Sequence, residues 1–371
     1  MSGTFHPVER VRPIEEVWPD LDSVRTFLNS LLWGTRWAGG EISYAFPDSR
    51  SEYGYGPDAA SPGTGRVVVA HGQVLREFAP VTARQEIAVE FALDADAGRA
   101  ASAGFAVEGF TNPDVSAQAP SEDDRPVHLR FANTQSDRLG TAMAADFPGG
   151  YATPTFDDDG DIWFGPNYLS YRQPEAGNYG WATHLHEIGH GIGLKHPHDG
   201  GIWITAAAEE WDWVEYSIMS CRSYAGQDPS AGNRSEYWSS PQTFMMGDIA
   251  ALQYLYGADY ETNAGDTVYA WSPFSGDTLV DGEVAIRPGG NRIFATIWDG
   301  GGTDTYDLGA YRSDLYLDLR PGRFSQVKGA QLAELDEVYG IRAQATSTTR
   351  RFTRATAARG SRMPSAAAGT T

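Results

Sequence analysis

The chain has 371 residues and a formal net charge of −21, with 49 acidic against 28 basic side chains. This charge argues against a nucleic-acid partner, because phosphate binding requires a basic surface. No apolar run approaches the roughly 18 residues of a membrane-spanning helix. The single cysteine, Cys221, excludes an intramolecular disulfide.

The first third of the chain alternates helical and strand patterns. Apolar residues at helical spacing predict a helix that is capped by Asp22 or Ser23 and ends near Gly34. The following segment EISYAF has alternate apolar side chains and predicts a strand. In TARQEIAVEFAL, Thr82 and Gln85 form a capping-box pattern at the start of a second helix.

The middle of the chain adds two strand patterns and a further helix. VHLRFA alternates apolar and polar side chains, which predicts a half-buried strand, and DIWFG is a second strand candidate. GDIAALQYLYG places Ile249, Leu252 and Leu255 on one helical face and ends at the glycine stop Gly257. We expect these elements to form a mixed α/β domain.

The composition changes twice in the C-terminal third. From about Gly265, short β-like stretches alternate with Gly/Asp turns and predict a separate β-rich module. From Ile341 the chain holds six arginines and no acidic residue. We expect this basic tail to be disordered, and binding to an anionic surface is the alternative.

The most informative stretch is HEIGHGIGLKHP, residues 186–197. His186 and His190 are one helical turn apart, so both imidazoles can reach one tetrahedral Zn²⁺ at about 2.0–2.1 Å. Glu187 lies between them in sequence, one position round the helix, where it can act as general base on a zinc-bound water. This spacing predicts a catalytic zinc site.

A third ligand requires the chain to turn back after the helix. A helix cannot bring its own continuation onto the same metal, but Gly193 at positive φ can reverse the chain and present His196. Pro197 then prevents helical continuation. Three neutral imidazoles leave a fourth position for water, as catalytic zinc sites require.

These residues match the H-E-x-x-H-x-x-G-x-x-H motif of metzincins, and YSIMS resembles their methionine turn, with Met219 as an apolar floor under the zinc. From about Leu21 to about Leu319 the chain resembles the serralysin family of secreted bacterial zinc endopeptidases. The segments that carry this resemblance occur in family order: YGWATHLHEIGHGIGLKHP, YSIMS, DIAALQYLYGAD, GDTVYAW and WDGGGTDTYDL.

The resemblance implies an α+β protein with a metzincin-like mixed α/β catalytic domain and a partial, RTX-like β-roll. We expect residues 1–20 to form a propeptide-like segment, residues 21–257 the zinc protease domain and residues 258–340 an incomplete calcium-binding module, with residues 341–371 as the tail. The resemblance also implies export by a Sec-independent, type I-like route, which fits an N-terminus without an apolar signal region.

One position near the predicted zinc site departs from the family pattern. Serralysins carry a tyrosine two residues after the turn methionine, which can ligate zinc and stabilise the transition state, and this chain has Cys221 there. Its thiolate could ligate zinc and close the site, or a neutral thiol could leave three histidines and water. Tyr224 is close enough in sequence to supply the missing phenol.

The C-terminal repeats also depart from the family pattern. Only GGGTDTYDL resembles the family's calcium-binding repeat, and no apolar export signal is evident. Carboxylates and backbone carbonyls are ligands that Ca²⁺ takes, and a Gly/Asp hairpin without metal is the alternative. The resemblance carries calcium positions onto Asp299, Gly301, Gly302 and Asp304, and more weakly onto Gly265 and Thr267.

We therefore expect a secreted, monomeric zinc endopeptidase that cleaves peptide bonds in proteins, with Ca²⁺ as a structural ion and no membrane insertion. An extended substrate would pair with the DIWFG strand at a sheet edge. The alternative is a non-catalytic or weakly active zinc- and calcium-binding relative, in which Cys221 occupies the open zinc position. Intact Glu187 argues against that alternative.

Overall fold

The computed structural model describes residues 7–14, 22–53, 71–119, 127–136, 139, 142–144, 147–148, 159–200, 206–327, 329–349 and 355–358. None of the helices in these ranges has the length and apolar character needed to cross a membrane. The helices are α1 (Asp22–Leu31), α2 (His71–Arg76), α3 (Ala83–Leu93), α4 (Val107–Phe110), α5 (Leu169–Arg172), α6 (Tyr179–Gly191) and α7 (Met246–Tyr256).

The strands of the N-terminal part are β1 (Val8–Arg10), β2 (Thr35–Trp37), β3 (Glu41–Ala45), β4 (Phe78–Ala79), β5 (Asp114–Ala117), β6 (Leu129–Thr134), β7 (Ala142–Ala144) and β8 (Asp161–Phe164). Those that follow α7 are β9 (Val268–Ser272), β10 (Ser275–Val280), β11 (Glu283–Ile286), β12 (Ala295–Ile297), β13 (Asp304–Asp307), β14 (Arg323–Ser325), β15 (Glu334–Asp336), β16 (Ile341–Arg342), β17 (Ser347–Thr349) and β18 (Ala355–Ala358).

A mixed sheet forms the centre of the N-terminal part. Its strands follow the order β5-β3-β6-β8-β7, and β4 pairs with the end of β6. Strands β5, β3, β6 and β8 run parallel, whereas β7 is antiparallel to β8. The mixed α/β architecture that we expected for this part of the chain is confirmed.

The prediction that β6 is half-buried is wrong. All six of its residues are buried, because the strand lies between β3 and β8 and has apolar clusters on both faces. Leu129 belongs to the main core, while Ala132 packs with Trp163 in a second cluster. The polar Arg130 is tolerated inside because its Nε lies 2.5 Å from Oδ1 of Asp161 on β8.

The prediction that the DIWFG strand is a sheet edge is also wrong. This segment forms β8, which pairs with β6 on one side and with β7 on the other. Within the described residues, β7 is the outermost strand on that side. Shortly after β7, the ring of Phe147 meets the His190 ring edge-on, with centroids 5.3 Å apart. The open edge of the sheet is therefore close to α6.

Helix α6 begins at a side-chain cap and packs beside α3. Asn178 caps it by accepting a hydrogen bond from the Trp181 amide at 2.8 Å. Helix α3 begins with the predicted capping box, in which Thr82 and Gln85 exchange side-chain and backbone hydrogen bonds. The ring of Phe91 on α3 contacts Trp181 on α6 at 4.9 Å between centroids. These contacts fix the N-terminal half of the helix that carries HExxH.

The C-terminal part is β-rich, as predicted, and includes parallel pairing. Strand β13 lies parallel to both β9 and β18, and β12 lies parallel to β17. Strands β16, β17 and β18 fall within the tail that we expected to be disordered, and Ala343, Ala345 and Thr346 are buried. The disorder prediction is thus wrong for these segments, because composition does not register strand pairing. Residues 359–371 lie outside the described residues.

The predicted N-terminal segment is described only at residues 7–14. There, Val8–Arg10 pairs with Thr35–Trp37 in a two-stranded sheet. The buried side chain of Ile14 lies beside Asn29 of α1, whose Oδ1 accepts from the Ile14 amide at 2.7 Å. These residues therefore pack on the chain that follows, while the limits of the segment and of the other domains remain predictions.

Candidate metal centre

Three imidazoles converge at the end of α6. His186 and His190 lie on the helix, and His196 follows the turn after it. The Nε2 of His186 is 3.1 Å from the Nε2 of each of the other two, which are 3.2 Å apart. Tetrahedral ligands at 2.0–2.1 Å from Zn²⁺ lie about 3.3 Å from one another. The three nitrogens therefore fit a single zinc ion.

Hydrogen bonds at the other ring nitrogens set the tautomers. The Nδ1 of His186 donates to the Ile218 carbonyl at 2.8 Å, and the Nδ1 of His190 donates to the carbonyl four residues later at 2.8 Å. The Nδ1 of His196 lies 3.0 Å from Oδ2 of Asp199. Because these oxygens only accept, each Nδ1 carries the proton and each Nε2 presents a lone pair. Three facing lone pairs cannot satisfy one another, so the donor set fits a cation.

Burial keeps two of the imidazoles neutral. It lowers the pKa of His186 to about 3, with the neighbouring His196 adding to the shift. It also lowers the pKa of His190 well below the ordinary value. Neutral imidazole is the form that binds metal. Near neutral pH these two side chains are therefore in the protonation state that a metal site needs.

Gly193 reverses the chain between His190 and His196. Its φ is 104°, in the left-handed region that favours glycine. A Cβ at this position would lie 2.6 Å from the carbonyl oxygen of Thr35, so the turn also has no room for a side chain. Conformation and space together explain why glycine is needed here.

Lys195 ties the loop of the third histidine to α1. The residue is buried, and its Nζ donates to the carbonyls of Ser30 and Asp199, each at 2.6 Å. It also donates to the carbonyl of His196 at 3.2 Å. These bonds hold the backbone on both sides of the His196 imidazole. Sequence reasoning missed this residue, because a lysine in a loop is usually solvated.

Met219 lies against α6 at Gly189. Its side chain is fully buried, and a Cβ on Gly189 would lie 2.5 Å from the Met219 Sδ. Asp248 of α7 holds the methionine turn, since its Oδ2 accepts from the Ile218 amide at 2.8 Å. The Ile218 carbonyl in turn accepts from His186. The turn therefore both supports the helix and orients a ligand, and Asp248 is a supporting residue that sequence reasoning missed.

Glu187 is buried on α6, with 7 % of its surface exposed. The phenols of Tyr171 and Tyr179 are its neighbours: burial raises the pKa of both, and the Glu187 charge raises it further. The exposed part of Tyr179 reaches 37 %. In sequence, the carboxylate therefore lies between the two histidines of the HExxH motif. In the structure, it is largely shielded from solvent.

Cys221 lies beside the three-histidine group and not within it. The ligand atoms of His186, His190 and His196 form one compact set, whereas the Cys221 Sγ groups with His196 and His198, all within 4.8 Å of one another. Sulfur and nitrogen ligands of one zinc ion lie about 3.5 Å apart. Ligation of the three-histidine ion by Cys221, one of our predictions, would therefore require its side chain to move.

His198 and Asp212 are further residues that sequence reasoning missed. Asp212 is buried, and its Oδ2 lies 3.4 Å from the His198 Nδ1. It also accepts from the Ser220 hydroxyl at 2.6 Å and from the Arg222 Nε at 3.0 Å. Contacts with Asp212 and then Cys221 raise the pKa of His198 to about 10. The only signal in the sequence is a histidine two positions after His196, which alone is not informative.

Tyr224 lies away from the three histidines. It packs against a separate apolar cluster that includes Trp213 and Met245. Partial burial and the neighbouring Asp336 carboxylate raise its pKa. These contacts therefore give no support to Tyr224 as a replacement for the phenol that is missing at position 221.

The predicted calcium positions come together between β9 and β13. Asp299 accepts from the Gly301 amide at 3.0 Å, and Asp304 accepts from the Thr267 amide at 3.1 Å. Burial raises the pKa of Asp299 to about 7, and the Asp304 charge adds to the shift. A cation near both carboxylates would relieve this cost.

The two glycine positions of the same region face each other. Gly302 has a φ of 93°, and a Cβ on it would lie 2.0 Å from the carbonyl oxygen of Gly265. The two backbone segments are therefore in close contact.

A family model and several known proteins are similar to this chain. Residues 258–356 match the family model described as Peptidase M10 serralysin C terminal, which extends beyond the module end that we predicted at residue 340. Metallopeptidase AprA of Pseudomonas marginalis is 35 % identical over 214 residues, or 54 % of this chain and 42 % of that protein. Serralysin of Proteus mirabilis is 38 % identical over 217 residues, or 56 % of this chain and 42 % of that protein. Serralysin B of Dickeya chrysanthemi is 35 % identical with the same coverage. The chain spans less than half the length of these relatives.

Proposed function

Because this chain is related to the serralysin-type M10 metallopeptidases, we propose that it is a zinc endopeptidase that hydrolyses peptide bonds in proteins. The observation that carries the proposal is the set of three Nε2 atoms, 3.1–3.2 Å apart, whose opposite ring nitrogens all face acceptors. A buried carboxylate, Glu187, follows the first of these histidines on the same helix.

In this proposal His186, His190 and His196 hold the zinc ion. Zinc bound there would supply Lewis acidity toward the scissile carbonyl and the attacking water. Glu187 accepts the proton of that water and delivers it to the leaving amine nitrogen, which makes it first base and then acid. Met219 takes no part in proton transfer and acts by filling the space beneath the helix.

We further propose that the substrate pairs with β7 instead of β8. An extended peptide can add to a sheet edge through main-chain hydrogen bonds. The edge at Ala142–Ala144 is followed closely by Phe147, whose ring contacts His190. A peptide aligned along β7 would therefore pass near the three histidines, which β8 cannot offer because both of its sides are paired.

The test of the mechanism is Glu187→Gln. The amide keeps the shape of the side chain but cannot accept the proton. We therefore expect the rate of proteolysis to fall by about 10²–10⁴-fold. Zinc content should stay equal to that of the unsubstituted protein, because the three histidines are intact. Glu283→Gln, an exposed glutamate on β11, is the matched control. Unchanged proteolysis in Glu187→Gln would refute the assigned role.

The non-catalytic alternative has less structural support. It requires Cys221 to occupy the open zinc position, whereas the Sγ groups with His196 and His198. Casein zymography of folded, zinc-loaded protein with and without 1,10-phenanthroline separates the two functions. Clearing that the chelator abolishes supports the peptidase, and absence of clearing supports the alternative.

Calcium binding and secretion complete the proposal. Asp299 and Asp304, with the carbonyl groups near Gly265 and Gly302, would hold Ca²⁺ as a structural ion. Export by a Sec-independent route is proposed from the relationship to serralysins. Recovery of the protein from the medium of cells with and without a type I exporter tests this part separately.

A further inference from the structure

Cys221 and His198 form a pair that the proposed peptidase chemistry does not use. Their ligand atoms and one from His196 all lie within 4.8 Å of one another. The rings of His198 and His196 are nearly parallel, at 5° and 5.2 Å between centroids. We propose that Cys221 and His198 bind a second, thiophilic divalent cation, such as Zn²⁺ or Cd²⁺, adjacent to the three-histidine site.

The donor types favour such a cation. A cysteine thiolate is a soft ligand that selects zinc, cadmium and similar ions over Mg²⁺ or Ca²⁺, and imidazole is its common partner. His196 is already committed through Nε2 to the group with His186 and His190. Cys221 and His198 are therefore the two protein ligands available to a second ion, and solvent would complete its coordination.

The Asp212 carboxylate lies behind His198, where metal-bound histidines usually have a hydrogen-bond acceptor. Its Oδ2 faces the His198 Nδ1 at 3.4 Å, which leaves the Nε2 of this ring for a metal. The carboxylate is itself fixed, since Ser220 and Arg222 both donate to it. A buried carboxylate behind a histidine orients the ring and raises the affinity of the ligand for a cation.

The position of Cys221 separates this site from the three-histidine site. Its Sγ is not part of the compact set formed by His186, His190 and His196. An ion held by Cys221 and His198 would therefore be distinct from the first ion. When the ion binds, the Cys221 thiol and the His198 imidazolium each release a proton to solvent, and no oxidation or reduction is involved.

The experiment is a Cd²⁺ titration of the full, metal-free chain under reducing conditions, followed by the ultraviolet charge-transfer band of cadmium thiolate and by calorimetry. We expect two equivalents to bind. The equivalent without the band, at the three-histidine site, is termed the first, and the one with the band is termed the second, whichever fills earlier. Cys221→Ser should bind one equivalent and show no band. His198→Asn should weaken the second equivalent at least about tenfold. Asp212→Asn should weaken it by about 10–100-fold, as for other groups that orient metal ligands.

The controls keep the result independent of folding and of proteolysis. Binding of the first equivalent reports that each variant retains the three-histidine site, and Asp228→Asn, an exposed acid, should change neither equivalent. Excess Zn²⁺ should remove the cadmium band by competition. A single equivalent without a thiolate band overturns the proposal. A single equivalent that binds with a thiolate band also overturns it, because Cys221 would then ligate the three-histidine ion. Neither outcome depends on whether the chain is a peptidase.

Discussion

The contact between α6 and the methionine turn allows a sharp test through Gly189→Ala. A Cβ at residue 189 would lie 2.5 Å from the Met219 Sδ, 3.4 Å from its Cε and 3.7 Å from Leu194 Cδ1. Because Met219 is fully buried, its side chain has little room to retreat. The substitution therefore overfills the space beneath the helix at the point between His186 and His190.

The expected magnitude follows from two opposing effects. Overfilling a packed core costs about 1–3 kcal/mol. Replacing glycine by alanine within a helix stabilises it by about 0.8–1.0 kcal/mol. Gly189→Ala should therefore lower the free energy of unfolding by about 0–2 kcal/mol. In a Met219→Ala background the added methyl group has space, and the same change should stabilise the protein by up to about 1 kcal/mol.

The measurement is a double-mutant cycle on the metal-free protein by urea unfolding. The expected coupling between residues 189 and 219 is about 1–3 kcal/mol. Gly98→Ala, at a bend outside the helices, is a control for a methyl group added without a clash, because the nearest atom to its Cβ would be 3.8 Å away. If Gly189→Ala has the same effect with and without Met219, the two changes are additive and Met219 does not support the helix as described.

Three further predictions concern the supports of the proposed ion sites. Asp248→Asn replaces an acceptor of the Ile218 amide, so we expect the free energy of unfolding in urea to fall by about 1–3 kcal/mol. Because the Ile218 carbonyl orients the His186 ring, zinc binding should also weaken by about 10–100-fold in a competition titration. The pKa of His186 is about 3 when folded, below its ordinary value of 6.5, so the unfolded chain binds the proton first. The metal-free protein should therefore lose stability as pH falls from about 6.5 toward 3, and an unchanged pH slope in His186→Phe would contradict this. Calcium at about 100 times its Kd should stabilise the protein by about 2.7 kcal/mol. Thermal unfolding with and without a chelator measures that gain, which Asp299→Asn should abolish and the exposed Asp307→Asn should retain.

The parts of the site that the sequence predicted are those set by local rules. The i, i+4 spacing of His186 and His190 needs only a helix, and the chain reversal at Gly193 needs only a positive φ that glycine tolerates. The capping box at Thr82 and the glycine end of α7 at Gly257 follow from side chains within one turn. Such features depend on neighbours in sequence, so tertiary structure had little opportunity to override them.

The parts that the sequence did not predict depend on which distant segments meet. Strand β8 could not be recognised as internal, because its partner β7 shows no strong pattern of its own. The alternation of apolar and polar side chains in β6 indicated one solvent-exposed face, but the Arg130–Asp161 pair satisfies polar groups inside the sheet. His198 and Asp212 are 14 positions apart and came together only through the loop that precedes the methionine turn. Pairwise contacts of this kind leave no periodic signal.

The geometry of the three imidazoles results from three separate backbone segments. His186 is oriented by the carbonyl of Ile218 in the methionine turn, His190 by the carbonyl of Leu194 in the turn after α6, and His196 by the carboxylate of Asp199. Two of these partners are themselves held elsewhere, Ile218 by Asp248 and Asp199 by the buried Lys195. Loosening one support should therefore misorient one ligand while the other two keep their places. Metal affinity should thus be more sensitive than overall stability to changes at these supports, because a change in ligand geometry acts directly on the ion.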